Sequence, residues 1–149
     1  YELEIDGVMT NSDFQLDLIS DSNVIAGDYD TAYRKEPECT RFIAGLPVVA
    51  DETRILQGKM GEYIVTARRV GEDWIVGGLT DWEARTVDLD LSFLPEGMFR
   101  AEIFCDGINA DKKGEDYRHE YRDVKREDRL KMQLAPGGGF AIRLKKNHN

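Results

Sequence analysis

The sequence has few cysteines and histidines, the residues that carry thiol chemistry and most often bind zinc. It contains two cysteines and two histidines among 149 residues. Cys39 and Cys105 belong to no CxxC-type motif, which argues against a zinc site or a redox dithiol. Two buried free thiols are favoured, and a single disulfide stays open. His119 and His148 belong to no GxSxG-type context, so the sequence predicts no nucleophile triad.

The sequence also lacks a long apolar run and a positive net charge. No stretch of about 18 apolar residues is present, so we expect no membrane-spanning helix. No leader-like segment opens the sequence, and a first residue of Tyr1 is expected of a fragment or a trimmed chain. The formal net charge is -9, and the basic residues are scattered among acids. This argues against nucleic acids and anionic membranes as partners.

Alternating apolar and polar residues dominate the sequence after Thr53. Such alternation is typical of strands with one buried face. It recurs in seven segments: EYIVTARR, DWIVGGLT, TVDLDLSF, MFRAEIF, DYRHEYRDV, RLKMQL and FAIRL. The charged DYRHEYRDV is expected at a sheet edge. Further upstream, YELEID and FQLDL alternate in the same way. EPECTRFIAGLP is the one predicted helix, with Pro37 at its first position and Gly45 and Pro47 at its end.

These patterns predict an all-β fold. No helix separates the later strands, so parallel βαβ units are excluded. With 149 residues, of which 41% are hydrophobic, the chain is long enough for one domain with a real core. We therefore expect a small antiparallel β-sandwich with about seven to nine strands and one short helix.

The stretch GEYIVTARRVGEDWIVGGLTDW is predicted to be a β-hairpin. Gly71 is expected at its turn, where a positive φ costs glycine little. Trp74 lies between apolar neighbours and is expected in the core. Trp82 follows the second strand in the polar segment TDWEAR. An exposed ring there can pack on another domain or subunit, pack locally or stack on a sugar, so Trp82 is the candidate contact residue.

The many carboxylates are interpreted as solvated rather than catalytic. Glu72 and Asp73 belong to the predicted hairpin turn, and Asp88 and Asp90 to the outward face of one strand. A glycosidase needs two carboxylates that line one pocket at a fixed separation. A small sandwich is expected to lack a deep pocket, so we assign no catalytic residue.

Two loops match ligand-binding motifs only in part. PGGG, residues 136–139, precedes a strand and not a helix, so it is predicted to be a hairpin turn and not a phosphate loop. NADKKGEDYRHE, residues 109–120, has Gly at position six and Glu at position twelve of an EF-hand loop. However, Lys113 stands where a carboxylate should bind calcium. A solvated loop is favoured over a looser surface ion site, and we assign no metal ligand.

Several segments in a shared order resemble the C-terminal domain of glycoside hydrolase family 97. They are DETR (51–54), GEYIVTARR (61–69), WIVGGLTDW (74–82), LDLSFL (89–94), DGINAD (106–111) and GGGFAIRL (137–144). The resemblance covers roughly residues 33–144. One departure is Ala50, where the family usually has Trp before DET.

The resemblance implies a larger enzyme with an N-terminal β-sandwich, a central (β/α)8 barrel and this C-terminal β-domain. Such enzymes cleave α-linked glucosides or galactosides and use calcium. Their catalytic carboxylates and calcium ligands lie outside the C-terminal domain. The resemblance therefore implies no cofactor, catalytic residue or metal ligand in this chain. It also implies packing on a barrel or on a second copy, and a periplasmic or cell-envelope location.

The expected organisation has three parts. Residues 1–32 are an atypical N-terminal segment with room for extra strands, residues 33–146 form the family 97-type domain, and residues 147–149 are a tail. The favoured function is a non-catalytic domain for packing or oligomerisation in α-glycan degradation, in an enzyme of the α-glucosidase or α-galactosidase type. The alternative is a carbohydrate-binding accessory module that presents Trp82 or a tyrosine to an α-glycan. An active α-glycosidase with its barrel encoded upstream is the third interpretation.

Overall fold

The computed structural model describes residues 37–113 and 116–147. They form one helix and eight strands: α1 Pro37–Ala44, β1 Glu52–Lys59, β2 Tyr63–Val70, β3 Asp73–Thr80, β4 Arg85–Asp90, β5 Met98–Asp106, β6 Tyr117–Lys125, β7 Arg129–Leu134 and β8 Gly139–Lys146. The chain divides into a unit of residues 1–46 and a unit of residues 47–149, and the second contains all eight strands. The predicted strands YELEID and FQLDL, the border expected near residue 32, and His148 lie outside the described residues.

Helix α1 begins and ends where the sequence predicts. Pro37 is its first residue, where the missing N–H is not needed. At the other end the N–H of Gly45 donates to the carbonyl of Arg41 at 3.1 Å, which closes the last turn. The described residues contain no helix long and apolar enough to cross a membrane.

The eight strands form two sheets. The larger has six strands in the order β1-β2-β3-β8-β5-β6, and the smaller consists of β4 and β7. All neighbouring strands are antiparallel. The prediction of an all-β antiparallel sandwich is confirmed, and the charged segment DYRHEYRDV forms the edge strand β6 as expected.

Strand β1 is the one that alternation did not single out. Its pairing with β2 shifts register between Ile55 and Gln57, so Leu56 is an extra residue, as in a β-bulge. A bulge interrupts the period of two, and the segment TRILQGK therefore shows no simple alternation. Among the described residues, eight strands follow residue 51 instead of about seven, and eight is within the expected range of seven to nine.

The core lies between the two sheets and contains the residues predicted to face inward. It comprises Val65, Ala67, Trp74, Val76, Val87, Leu89, Leu91, Leu94, Phe99, Ala101, Ile103, Cys105, Val124, Leu130, Met132, Leu134, Phe140, Ile142 and Leu144. Trp74 is buried, as predicted, and meets Phe93 edge-on with ring centroids 5.1 Å apart. Strand β4 is shorter than TVDLDLSF, because it ends at Asp90 and Leu91 is buried in the turn that follows.

Strands β2 and β3 form the predicted hairpin. Val70 and Asp73 are the last paired residues, which leaves Gly71 and Glu72 as a two-residue loop. The φ of Gly71 is +61°, a conformation that favours glycine. The Glu72 carboxylate lies 2.7 Å from Nζ of Lys146, and Asp73 Oδ1 accepts the Lys146 backbone N–H at 3.1 Å. The two turn carboxylates therefore join the hairpin to β8.

The PGGG segment makes a tight turn but not a hairpin. The N–H of Gly138 donates to the carbonyl of Ala135 at 2.8 Å, and the φ of Gly137 is +71°. The strands on either side belong to different sheets, because β7 pairs with β4 while β8 pairs with β3 and β5. The prediction of a hairpin turn was therefore wrong. Asp106 explains the difference: its Oδ2 accepts the N–H groups of Ala135 at 2.8 Å and Gly139 at 2.9 Å, which fixes the turn at the end of β5.

Candidate interaction site

Trp82 lies in the loop that carries the chain from β3 in the large sheet to β4 in the small one. Its side chain is 86% exposed. Part of the ring rests against the turn before β8, since a Cβ placed on Gly137 would lie 3.1 Å from Cζ3 of Trp82. Trp82 is therefore an exposed ring with support from behind, and its role as a contact residue stays a prediction.

Asp81 fixes the backbone on which Trp82 stands. Its N–H donates to the carbonyl of Glu62 at 2.8 Å, and its own carbonyl accepts the N–H of Gly137 at 2.6 Å. Its Oδ1 accepts the backbone N–H of Glu83 at 3.0 Å. This last hydrogen bond holds the pKa of the Asp81 carboxyl below its ordinary value, against the opposing effect of burial. The charged form of Asp81 therefore keeps the loop closed at neutral pH.

Arg85, the first residue of β4, ties the same loop to two other strands. Its Nη1 lies 3.0 Å from Oε2 of Glu62, and its Nη2 lies 3.3 Å from Oδ2 of Asp81. Its Nε donates to the hydroxyl of Thr80 at 3.1 Å. The guanidinium also lies over the ring of Tyr63, 5.6 Å from the centroid. One planar cation thus connects β2, β3 and β4 around the Trp82 loop.

An exposed apolar groove lies beside this loop, on the outer face of the six-stranded sheet. The outer face is the one turned away from β4 and β7. We define the apolar groove by the side chains of Ile55, Met60, Ile64 and Leu79; its volume is about 610 Å³. Ile64 and Leu79 are directly opposite residues of β2 and β3, and Leu79 is 64% exposed. Met60, in the turn between β1 and β2, is fully exposed.

The edge of the apolar groove is charged and its floor is closely packed. Lys59 forms an ion pair with Glu62, and Asp81 lines the same groove. Leu79 covers Gly139, where an added Cβ would lie 3.1 Å from Leu79 Cδ2. An apolar centre with a polar edge is the usual anatomy of a protein–protein contact.

Sequence reasoning missed the apolar groove. The available signal was a pair of large apolar residues, Ile64 and Leu79, at outward positions of two alternating strands. Alternation assigns each of them to a face, but it does not give the register that sets them opposite each other. The grouping with Met60 and Ile55 also depends on β1, the strand with the bulge.

A second, open cleft of about 750 Å³ lies between the ends of the two sheets, and its wall includes Asp106, Asp111 and Asp116. Asp106 holds the turn before β8, and Oδ2 of Asp116 accepts the backbone N–H of Asn109 at 2.6 Å. These two carboxylates therefore organise loops. Among residues 37–113 and 116–147, no group of three or more His, Cys, Asp or Glu side chains is placed to hold a metal ion.

His119 has a packing role on the edge strand. Its ring stacks on that of Phe104, with centroids 4.0 Å apart and an angle of 15° between the planes. Its Nε2 lies 3.3 Å from Oε1 of Glu102. The aromatic pair shields the outer face of the sheet at β5 and β6.

The remaining carboxylates considered in the sequence analysis lie in ion pairs or in strands. Asp88 and Asp90 point outward toward Arg129, and Oδ2 of Asp90 lies 3.0 Å from its Nη2. The EF-hand-like segment covers residues 109–120, of which 114 and 115 lie outside the described residues. Its last position, Glu120, belongs to strand β6.

The two cysteines are free thiols. Cys105 is buried in β5, and burial raises the pKa of its thiol, so it stays neutral and unreactive. Cys39, in α1, is only partly buried, whereas two buried thiols were expected.

Comparison with known proteins gives a consistent result. The family model described as "Glycosyl-hydrolase 97 C-terminal, oligomerisation" matches residues 49–145. A retaining alpha-galactosidase of Bacteroides thetaiotaomicron is 52% identical over 118 residues, which are 79% of this chain and 18% of that protein. A probable retaining alpha-galactosidase of Streptomyces bingchenggensis is 32% identical over 110 residues, which are 74% of this chain and 16% of that protein.

Solved structures lead to the same family as the sequence comparisons. A glycoside hydrolase family 97 enzyme from Pseudoalteromonas sp. strain K8, in complex with acarbose, superposes with a TM-score of 0.75 at 36% sequence identity. The match covers 78% of this chain and 19% of that protein. The chain thus spans less than a fifth of the length of the relatives that it matches here.

Proposed function

Because the chain belongs to the family of glycoside hydrolase 97 C-terminal domains, we propose that it holds together copies of a longer enzyme and takes no part in bond cleavage. The observation that carries this proposal is the match over residues 49–145 to a family described by oligomerisation. The matched residues contain seven complete strands and all but one residue of β8. The apolar groove supports the proposal, since it offers an apolar surface with a charged edge.

The longer enzyme is proposed to be a retaining α-galactosidase. One relative, 52% identical to this chain, is a retaining alpha-galactosidase, and another, 32% identical, is a probable retaining alpha-galactosidase. Their names favour an α-galactoside as substrate over the α-glucoside that the resemblance also allowed. We further propose that calcium is bound by parts of the enzyme outside this chain, and that the enzyme works in the periplasm or cell envelope.

The oligomerisation role is tested by comparing two forms of the longer enzyme. One form carries this domain, and the other stops before the position of Pro47, where the second unit begins. Light scattering is expected to give a multiple of the subunit mass for the first form and the single subunit mass for the second. Both are expected to cleave an α-galactoside. The same mass multiple without the domain would contradict the role.

A carbohydrate-binding module is the second candidate, and the exposed ring of Trp82 beside the Gly137 turn is the observation that favours it. A sugar that stacks on this ring would change tryptophan fluorescence. The test is a titration of this chain with galactosides and starch oligosaccharides, with Trp82→Ala as the control. No change at millimolar ligand would rule out this function and leave the oligomerisation role intact.

A further inference from the structure

We propose that two copies of this chain associate about a two-fold axis through the apolar groove. The proposal rests on the oligomerisation role and adds the surface and the occupant. It assigns the centre of the contact to Ile64 and Leu79, with Met60 and Ile55 around them. The charged residues Lys59, Glu62 and Asp81 also line the groove and form its charged edge.

The exposure of the groove is the first argument. Soluble proteins rarely leave large apolar side chains clustered on the surface unless another surface covers them. Ile55, Ile64 and Leu79 lie on the outer faces of three successive strands, and each is exposed. Their neighbours on the same strands do not cover them.

The position of the groove is the second argument. The segment before β1 runs past the end of β2, where Nη2 of Arg68 donates to the carbonyl of Val48 at 2.9 Å. Val48 and Val49 are exposed at this end, where the covalent connection enters the sandwich unit. Ile64 lies near the opposite end of β2. The groove therefore lies toward the other end of β2 from the point where the chain enters the sandwich unit.

The charge pattern is the third argument. A two-fold contact brings the same patch of both copies together, so the patch must be complementary to itself. The edge of the groove carries one cation, Lys59, and two acids, Glu62 and Asp81. Lys59 pairs with Glu62 within one copy and its side chain is 69% exposed, so an antiparallel approach can set the Lys59–Glu62 pair of one copy against the same pair of the other, with unlike charges facing. A patch of a single sign would repel its own copy.

The rigidity of the edge is the fourth argument. Arg85 connects Glu62, Asp81 and Thr80, and the backbone of Asp81 is bound on both sides. A surface that is already ordered loses little conformational entropy when it binds. The edge of the groove is therefore already ordered before a second copy binds.

The test is a set of matched substitutions in this chain. Leu79→Glu and Ile64→Glu, made separately, each place a charge in the centre of the contact. Ile108→Glu is the control, because Ile108 is 95% exposed and lies in the loop after β5, outside the groove. We expect the dissociation constant of the dimer, from sedimentation equilibrium, to rise at least about tenfold in both groove variants. The control is expected to keep the wild-type value.

The outcomes separate this proposal from the oligomerisation role. A monomeric wild-type chain at high concentration would overturn both. A wild-type oligomer whose mass survives both groove substitutions would overturn the groove alone. Equal weakening by Ile108→Glu would also overturn it, because any surface charge would then have the same effect. Circular dichroism shows whether each variant is folded.

A second measurement avoids introducing charge into a strand. Met60→Cys places a thiol in an exposed turn of the groove, in a background with Cys39→Ser, and Cys105 is buried. A two-fold contact brings the two thiols close, so a short bismaleimide is expected to link most of the chain into dimers. Ile108→Cys is expected to stay largely monomeric. Equal cross-linking at the two positions would overturn the proposal.

Discussion

The outer face of the six-stranded sheet has two halves with opposite treatment of their apolar side chains. On β5, Phe104 is only 8% exposed, because His119 stacks on it and Tyr117 tilts against it with centroids 5.7 Å apart. On β2 and β3, Ile64 and Leu79 have no such cover and remain exposed. We call these the covered half and the open half.

The covered half also completes its polar contacts across strands. Glu102 Oε1 accepts the hydroxyl of Tyr121 at 2.9 Å and lies 3.3 Å from Nε2 of His119. Its Oε2 lies 3.8 Å from Nη1 of Arg143, on the central strand β8. The difference between the halves shows that the sheet covers apolar side chains of its outer face with its own residues at β5 and β6 but not at β2 and β3. The exposure of Ile64 and Leu79 is therefore a local property of the open half and not of the whole outer face.

The contrast is tested most strongly by removing one apolar side chain from each half. Phe104→Ala is expected to lower the free energy of unfolding by about 3 kcal/mol, because a buried ring is lost. Leu79→Ala is expected to change it by less than about 0.5 kcal/mol when the chain is monomeric, because that side chain is exposed. Urea unfolding at low protein concentration measures both. Equal losses would remove the distinction between the halves.

A smaller effect is expected from the polar contacts of the covered half. Glu102→Ala removes the shared partner of three side chains and is expected to cost about 1–2 kcal/mol. Asp123→Ala is the matched control, since its pair with Arg100 is exposed on both sides. Exposed pairs contribute roughly 0–1 kcal/mol. The prediction fails if urea unfolding gives the two variants the same stability.

The turn at Gly137 supports Trp82 and lies beside the open half. A substitution there is expected to change the surroundings of the Trp82 ring more than the free energy of unfolding. Gly137→Ala places a Cβ at a φ of +71° and 3.1 Å from the Trp82 ring. We expect a cost of about 1 kcal/mol and a shift in Trp82 emission. Gly77→Ala is the control, because a Cβ there meets nothing within 4 Å. An unchanged emission in Gly137→Ala would show that the ring does not rest on this turn.

Acid is expected to give the smallest effect, confined to the edge of the open half. The Glu83 N–H lowers the pKa of Asp81 below 3.8, so the contribution of Asp81 to stability is complete above that pH. It is lost as the pH falls through the lower folded value. The emission of Trp82, taken as the difference from Trp82→Phe, is expected to be constant from pH 7 to about 4 and to change below. Asp81→Asn should abolish that acid transition, and a transition near neutral pH would contradict the assignment.

Alternation alone predicted which residues of most strands face the core. The pattern of β7, with Leu130, Met132 and Leu134 buried, is read directly from RLKMQL. Local chemistry also predicted the β2–β3 turn, because a two-residue loop with Gly71 carries its own conformational signature. These predictions succeed because each depends on residues close together in the sequence.

Strand pairing and the apolar groove could not be predicted in the same way. PGGG has the composition of a hairpin turn, yet Asp106, about 30 positions earlier, fixes it between two sheets. The groove similarly needs the register of β1, β2 and β3, and the bulge at Leu56 shifts that register. Both features depend on contacts between distant residues, for which local periodicity carries no signal.

The place of β8 in the sheet has a consequence for synthesis. Strands β1–β3 pair with one another, and β5 pairs with β6, but the two groups share no ladder until β8 lies between β3 and β5. A ribosome adds roughly 5–20 residues per second, so β3 and β5 are made seconds before β8. During that interval the edges of β3 and β5 are open to other nascent chains. Residues 139–146 therefore close the six-stranded sheet last. Before they pair, a chaperone can protect the open edges of β3 and β5, or another nascent chain can pair with them.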